Sequence, residues 1–266
     1  MLRSRLMVQL SIVAEKLNIY TLQRVAVRQG EIVVPTLDGQ LLTVTNQGTS
    51  TVLADLLKAE LGIPFGVVDY GDDVIVTVSN YSPDHYLVRV KRNGQISTIA
   101  NLSQLCGEFG APFGVAVYQN QYWVTLSPDV SASKGLLLSI SPTGKITPIA
   151  NLNSFGIPFG ITLWNNSAVI AQSYGQLVQV SATGTAKTIV DLQALKFGIP
   201  FDVAVWQNQL VATTNTGQVV QIDATGNVNT IADLSKEKRG IPAGIAVSGT
   251  DLIVTTNAGF LIRITV

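Results

Sequence analysis

The 266 residues include one His and one Cys, so any chemistry here starts from His85 or Cys106 or proceeds without imidazole and thiol. One imidazole cannot build a multi-histidine zinc site, and one thiol cannot close an internal disulfide. His85 ends the segment Asn80-Tyr81-Ser82-Pro83-Asp84-His85, which gathers a base, a carboxylate and a hydroxyl, the residue types of a hydrolytic triad. A triad base must reach both its nucleophile and its orienting acid, a geometry that neighbours in one loop seldom provide. No catalytic residue is assigned. Cys106 has Glu108 nearby and no basic neighbour to lower its pKa, so it reads as a passive thiol.

Seventeen Lys and Arg balance seventeen Asp and Glu, and charged residues are 13% of the chain, against about 25% in an ordinary domain. With 47% apolar residues, the composition excludes disorder as the main state. A nucleic-acid partner is not expected either, because there is no basic excess to displace counterions from phosphates. No apolar run approaches the ~20 residues that span a bilayer, so no membrane span is expected. Residues 1–14 place Arg3 and Arg5 before a short apolar run, as a signal peptide would. Gln9 and Ser11 interrupt that run and no small-x-small cleavage site follows, so the segment is read as a strand. Lack of a clear signal favours the cytoplasm, whereas low charge and richness in Asn, Gln, Ser and Thr suit export; the compartment stays open.

The elements that must position these side chains are repeats. GIPFGVV (62–68), GAPFGVAV (110–117), GIPFGITL (156–163), GIPFDVAV (198–205) and GIPAGIAV (240–247) are versions of one motif. Their first glycines, Gly62, Gly110, Gly156, Gly198 and Gly240, are 48, 46, 42 and 42 residues apart. A degenerate first copy, LQRVAV (22–27), makes six. Each copy holds four short β patterns, clearest in DVAVW (202–206), QLVATT (209–214), QVVQID (218–223) and NVNTIA (227–232). Gly and Asn between them tolerate the positive φ of tight hairpins.

Four antiparallel strands every ~42 residues is the spacing of a β-propeller blade. The last copy supplies only three strands, ending at FLIRIT (260–265), while LSIVAEKL (10–17) matches the fourth strands STVLADLL (50–57) and KTIVDL (187–192) without strands of its own. An orphan first strand and a missing last one are what ring closure requires. The expected fold is all-β: a six-bladed propeller in one domain over 1–266, closed by the N-terminal strand completing the last blade. The blades are expected at about 22–57, 64–102, 112–152, 158–192, 200–234 and 242–266 plus 8–17.

The pattern Pro112-Phe113-Gly114-Val115-Ala116-Val117, then a turn and Tyr122-Trp123-Val124-Thr125, resembles the NHL-repeat propellers and the wider six-bladed group of gluconolactonases and paraoxonases. The resemblance runs through nearly the whole chain and implies a fold rather than a chemistry. NHL repeats usually carry an acid after Val-Thr; here those positions are Thr36, Val78, Leu126, Gln172, Thr214 and Thr256. The hydrolytic members hold calcium in the channel with several acidic ligands. The corresponding positions here, Arg24, Gly66, Gly114, Gly160, Asp202 and Gly244, offer one carboxylate, too few for a hard cation. Streptogramin lyases look similar but rely on paired histidines. No metal and no cofactor are expected.

In a propeller, the loops between blades and between second and third strands surround the channel on one face. That face would carry Phe65, Phe113, Phe159 and Phe201, with Gln23 and Ala243 in the other two blades. They form either an apolar rim for a ligand or partner, or packing between blades. Arg24 and Asp202 replace the Gly of the other four blades and could meet across the mouth as an ion pair, or present a guanidinium to an anion. Tyr70, Tyr118, Trp164 and Trp206 follow the first strands and are expected to pack against blade edges. The long second-to-third loops of blades two and three, 80–85 and 127–135, add Tyr81, Asp84, His85 and Asp129 as loop candidates. The expected role is a non-catalytic binding or scaffold propeller, monomeric, taking a protein or small apolar ligand at its Phe-rimmed mouth. The alternative is a hydrolase or lyase of the six-bladed group with atypical or lost metal ligands.

Overall fold

The computed structural model describes residues 8–19, 23–80, 84–107 and 110–266. Twenty-four strands form six four-stranded antiparallel sheets. After β1 (Gln9–Ala14), the first blade holds β2 (Ala26–Arg28), β3 (Glu31–Pro35), β4 (Gln40–Val44) and β5 (Ser50–Asp55). The second holds β6 (Ile63–Tyr70), β7 (Asp73–Ser79), β8 (His85–Val90) and β9 (Ile96–Asn101). The third holds β10 (Ala111–Tyr118), β11 (Gln121–Ser127), β12 (Leu136–Ile140) and β13 (Ile146–Asn151). The fourth holds β14 (Pro158–Trp164), β15 (Ser167–Gln172), β16 (Gln176–Ser181) and β17 (Ala186–Asp191). The fifth holds β18 (Pro200–Trp206), β19 (Gln209–Thr214), β20 (Gln218–Ile222) and β21 (Val228–Asp233). The sixth joins β22 (Pro242–Ser248), β23 (Asp251–Thr256) and β24 (Leu261–Thr265) to β1.

This six-bladed propeller is closed by β1, which pairs antiparallel with β24, Leu10 opposite Ile264 and Ile12 opposite Ile262. Between blades lies the apolar core. Ile75 and Leu87 of blade two pack with Val115, Tyr122 and Val124 of blade three, and Ile32 and Val34 of blade one meet Ile253 and Leu261 of blade six. The first hairpins of blades three, four and five turn on Gln119-Asn120, Asn165-Asn166 and Gln207-Asn208, all at positive φ, the geometry whose twist matches paired strands.

The repeated Pro-Phe-Gly motif has a physical reason. Between Pro64 and Val67, Pro112 and Val115, and Pro158 and Ile161, the register of the first strand slips against the second. Such a bulge lets a strand with a donorless Pro in its first two positions turn toward the axis. A buried Thr of the second strand then locks one blade to the next. Thr125 Oγ1 accepts the Gly114 N–H at 2.7 Å and donates to the Phe159 carbonyl of blade four at 2.7 Å. Thr77 does the same with Gly66 and Phe113, and Thr213 with Asp202 and Ala243. A Cβ on Gly66 would collide with the Phe113 carbonyl, so this closeness of inner strands requires glycine there. Blade one has Pro35 in the locking position, and there the Arg24 N–H donates directly to the Phe65 carbonyl at 2.8 Å.

Candidate functional site

Two of the six glycine positions are charged, and the ring brings them together. Arg24 Nε lies 3.5 Å from Asp202 Oδ1, both residues being 4% exposed. Blade four makes room for the carboxyl, since a Cβ on Gly160 would collide with it. The two partners are not equally supported. Asp202 Oδ1 accepts the Val203 N–H and Oδ2 the Ile245 N–H, both at 2.9 Å, the second reaching into blade six. By contrast, Nε, Nη1 and Nη2 of Arg24 have no hydrogen-bond partner among the described residues. Burial pushes the Asp202 carboxyl above its ordinary range, and Arg24 and the two backbone N–H groups pull it back. Burial also lowers Arg24, with Asp202 opposing, but a guanidinium starts so high that it stays cationic.

The pair stands at one end of a cavity of about 430 Å³. Its lining is about half apolar: Val27, Val68, Val117, Leu163 and Val247 contribute partly exposed side chains, Val67, Val115, Ile161, Val203 and Ile245 are buried in the cores between blades, and Thr162 and Asp69 add polar groups. The lining runs from the level of Arg24 to that of Asp69, three residues further along the first strands, a span of about 10 Å at the rise of a β-strand. The cavity therefore extends toward the first hairpins. Asp69 is exposed; partial burial raises its pKa and Arg28 lowers it.

None of the four phenylalanines lines this cavity. They precede Arg24 and its equivalents in the strand direction and form an aromatic arc on the other side. Centroids are 6.0 Å apart for Phe65 and Phe113, 5.8 Å for Phe113 and Phe159, and 6.1 Å for Phe159 and Phe201, all edge-to-face. The expectation of an open rim needs correction in its middle. Phe113 and Phe159 are 3% and 8% exposed because each ring is covered by a neighbour on either side, whereas Phe65 and Phe201 are half-buried. In blade one Gln23 stands where the arc would continue and donates from Nε2 to the Pro64 carbonyl at 2.9 Å.

The loop candidates do not converge on the pair. Tyr81 lies outside the described residues, as do Leu22 and Glu108. His85 belongs to a strand rather than a loop: it opens β8 opposite Ser79, is 3% exposed, and its Nδ1 lies 3.0 Å from Ser79 Oγ. Burial lowers its pKa, with Asp84 opposing, and among the described residues no carboxylate hydrogen-bonds the ring. The Asp84 carbonyl accepts the Asn80 N–H at 2.9 Å. Asp129 Oδ1 accepts from Ser131 Oγ and from the N–H groups of Ser131 and Ala132, which lowers its pKa and makes it the organiser of its own turn. Cys106 is buried, which pushes its thiol up to about 12.

The second aromatic set packs between blades. Tyr70 Oη donates to Asn120 and its ring meets Tyr122 edge-on, while Trp206 Nε1 donates to the Thr250 carbonyl. Asp69 and Thr162, on the cavity wall, escaped the sequence reading because they sit at repeat positions that are Val, Leu or Ala elsewhere. The donor set does not fit a hard cation: Asp202 is the one carboxylate at the channel's glycine level, and Arg24 and two backbone N–H groups already engage it. Among the described residues no three His, Cys, Asp or Glu come together.

No family model and no curated protein matches the sequence. Solved structures do match. A catalytically inactive variant of virginiamycin B lyase from Staphylococcus aureus, solved with quinupristin, aligns at a TM-score of 0.66 and 15% identity, covering 92% of this chain and 80% of that one. A Thermus thermophilus protein assigned as an oxidoreductase (glucose dehydrogenase) aligns at 0.74 and 10%, covering 97% and 99%. A WD40 β-propeller domain aligns at 0.63 and 11%, covering 97% of each chain. At such identities these proteins share a propeller fold with this chain and nothing finer.

Proposed function

We propose that the chain is a non-catalytic binding module, a single propeller unit over 1–266, whose central channel receives a small ligand on the first-hairpin side of Arg24. One observation carries this reading: a buried guanidinium with no hydrogen-bond partner among the described residues heads a cavity of about 430 Å³ whose lining is about half apolar. A protein that needed only a filled channel would place an apolar side chain or a glycine there, as four of the six blades do, because burying an unsatisfied charge is costly. Partly apolar concavities with a few placed polar groups are the usual form of small-ligand sites. The Phe arc lies on the opposite side, and the half-buried Phe65 and Phe201 leave a smaller apolar surface for a protein partner.

The test is thermal melting against a panel of small acids, alcohols and amines, with wild type beside Arg24→Met. At least one class should raise the wild-type melting temperature and lose that effect in the variant. A panel in which no class stabilises the wild type sinks the reading. The catalytic alternative rests on the Ser79–His85 contact, and turnover of small esters that vanishes in Ser79→Ala would establish it.

A further inference from the structure

We infer that the channel ligand is a monocarboxylate with a compact apolar body, its carboxylate held by Arg24 and its body directed toward the first hairpins. The inference rests on the channel reading and specifies its ligand. Arg24 lines the buried end of the cavity with Nε 3.5 Å from Asp202, and among the described residues Nη1 and Nη2 have no hydrogen-bond partner. Two adjacent N–H donors on a planar guanidinium match the two oxygens of a carboxylate. Next to them, the partly exposed Val27, Val68, Val117, Leu163 and Val247 give the lining apolar surface that receives hydrocarbon.

Charge narrows the class further. Among the described residues the channel lining holds one cation, Arg24, and two carboxylates, Asp202 beside it and Asp69 on the wall three residues on. A single negative charge at the deep end meets Arg24 at the cost of some repulsion from Asp202. A phosphate monoester or a dicarboxylate brings a second charge, which faces Asp202 or Asp69 with no further cation at the Arg24 level. Arg28 is already engaged, donating to the Asp72 carbonyl at 3.2 Å and to Glu31 at 3.1 Å.

Calorimetric titration of the whole chain with hexanoate, hexanol, hexylamine and adipate tests this. Hexanoate should bind, and hexanol and adipate should bind at least about tenfold more weakly. Arg24→Met should weaken hexanoate by about 10- to 100-fold, the loss expected for hydrogen bonds to a charged group. Asp202→Asn offers a second readout that a purely structural pair would not move: hexanoate should raise its melting temperature more than it raises that of wild type, by taking the vacated anionic place. Hexanol binding as tightly as hexanoate, or unchanged hexanoate affinity in Arg24→Met, overturns the carboxylate assignment while the channel reading stands. Sodium chloride stabilising as well as equimolar hexanoate overturns the apolar body. Binding by none of the four compounds overturns the inference and the channel reading together.

Discussion

Replacing Asp202 with Asn removes the one carboxylate paired with the Arg24 guanidinium, and replacing Arg24 with Met leaves that carboxylate with two backbone donors. The structure predicts unequal costs. At 3.5 Å and an effective dielectric of ~20, the Coulomb attraction is about 5 kcal/mol in either case. In Asp202→Asn, that loss strands a buried cation that has no hydrogen-bond partner among the described residues, so the variant should lose about 3–5 kcal/mol, the range for breaking a buried pair. In Arg24→Met, relief from burying the guanidinium offsets much of the loss, and Asp202, whose pKa burial already raises, keeps Val203 and Ile245 as donors. Its net cost should stay below about 2 kcal/mol. Urea unfolding at pH 7 measures both differences, and scanning calorimetry should show Asp202→Asn melting roughly 6–20 °C early, at ~2–4 °C per kcal/mol. An Arg24→Met variant that loses as much stability as Asp202→Asn refutes the reasoning, because Arg24 would then be a structural keystone rather than an anchor held open.

Thr125→Val keeps the volume but orphans the Gly114 N–H and the Phe159 carbonyl; it should cost about 2–4 kcal/mol in denaturant unfolding and Thr125→Ser much less, and equal losses would contradict the blade lock. Deleting residues 1–14 removes the partner of β24, so size-exclusion chromatography should show self-association that grows with concentration; a monomer with unchanged melting temperature would contradict closure. Burial lowers the His85 pKa below its ordinary 6.5, so the native state binds fewer protons than the unfolded chain below that value. Stability should therefore fall as pH drops from about 7 toward 5, less steeply in His85→Gln, and equal slopes would count against a buried neutral imidazole.

The repeat made the ring legible, because six copies of one motif with an orphan strand at one end and a missing strand at the other admit closure directly. It also singled out Arg24 and Asp202 as departures from glycine facing one axis, with an ion pair as one of two readings; that they stand 3.5 Å apart came from the structure. Depth was not legible. Phe113 and Phe159 are buried and Phe65 and Phe201 half-buried although all four occupy the same repeat position, because burial depends on whether a ring has a neighbour on both sides. The Gln23 and Ala243 substitutions end the arc, and their effect falls on other residues. The Val-Thr signature was visible, but not that Thr77, Thr125 and Thr213 bridge to the next blade, since a hydroxyl's acceptor is set by tertiary placement. His85 read as a loop residue because Pro83 and Asp84 precede it, and pairing with Ser79 draws it into β8.

The direct test of Arg24 as the anchor of a channel site is a crystal structure of the chain grown with hexanoate. The account predicts a carboxylate within hydrogen-bond distance of Arg24 Nη1 and Nη2, with its alkyl chain against Val27, Val68, Val117, Leu163 and Val247. Ligand density confined to the Phe65–Phe201 side, or a guanidinium folded onto protein acceptors with the channel occupied by water alone, would contradict it.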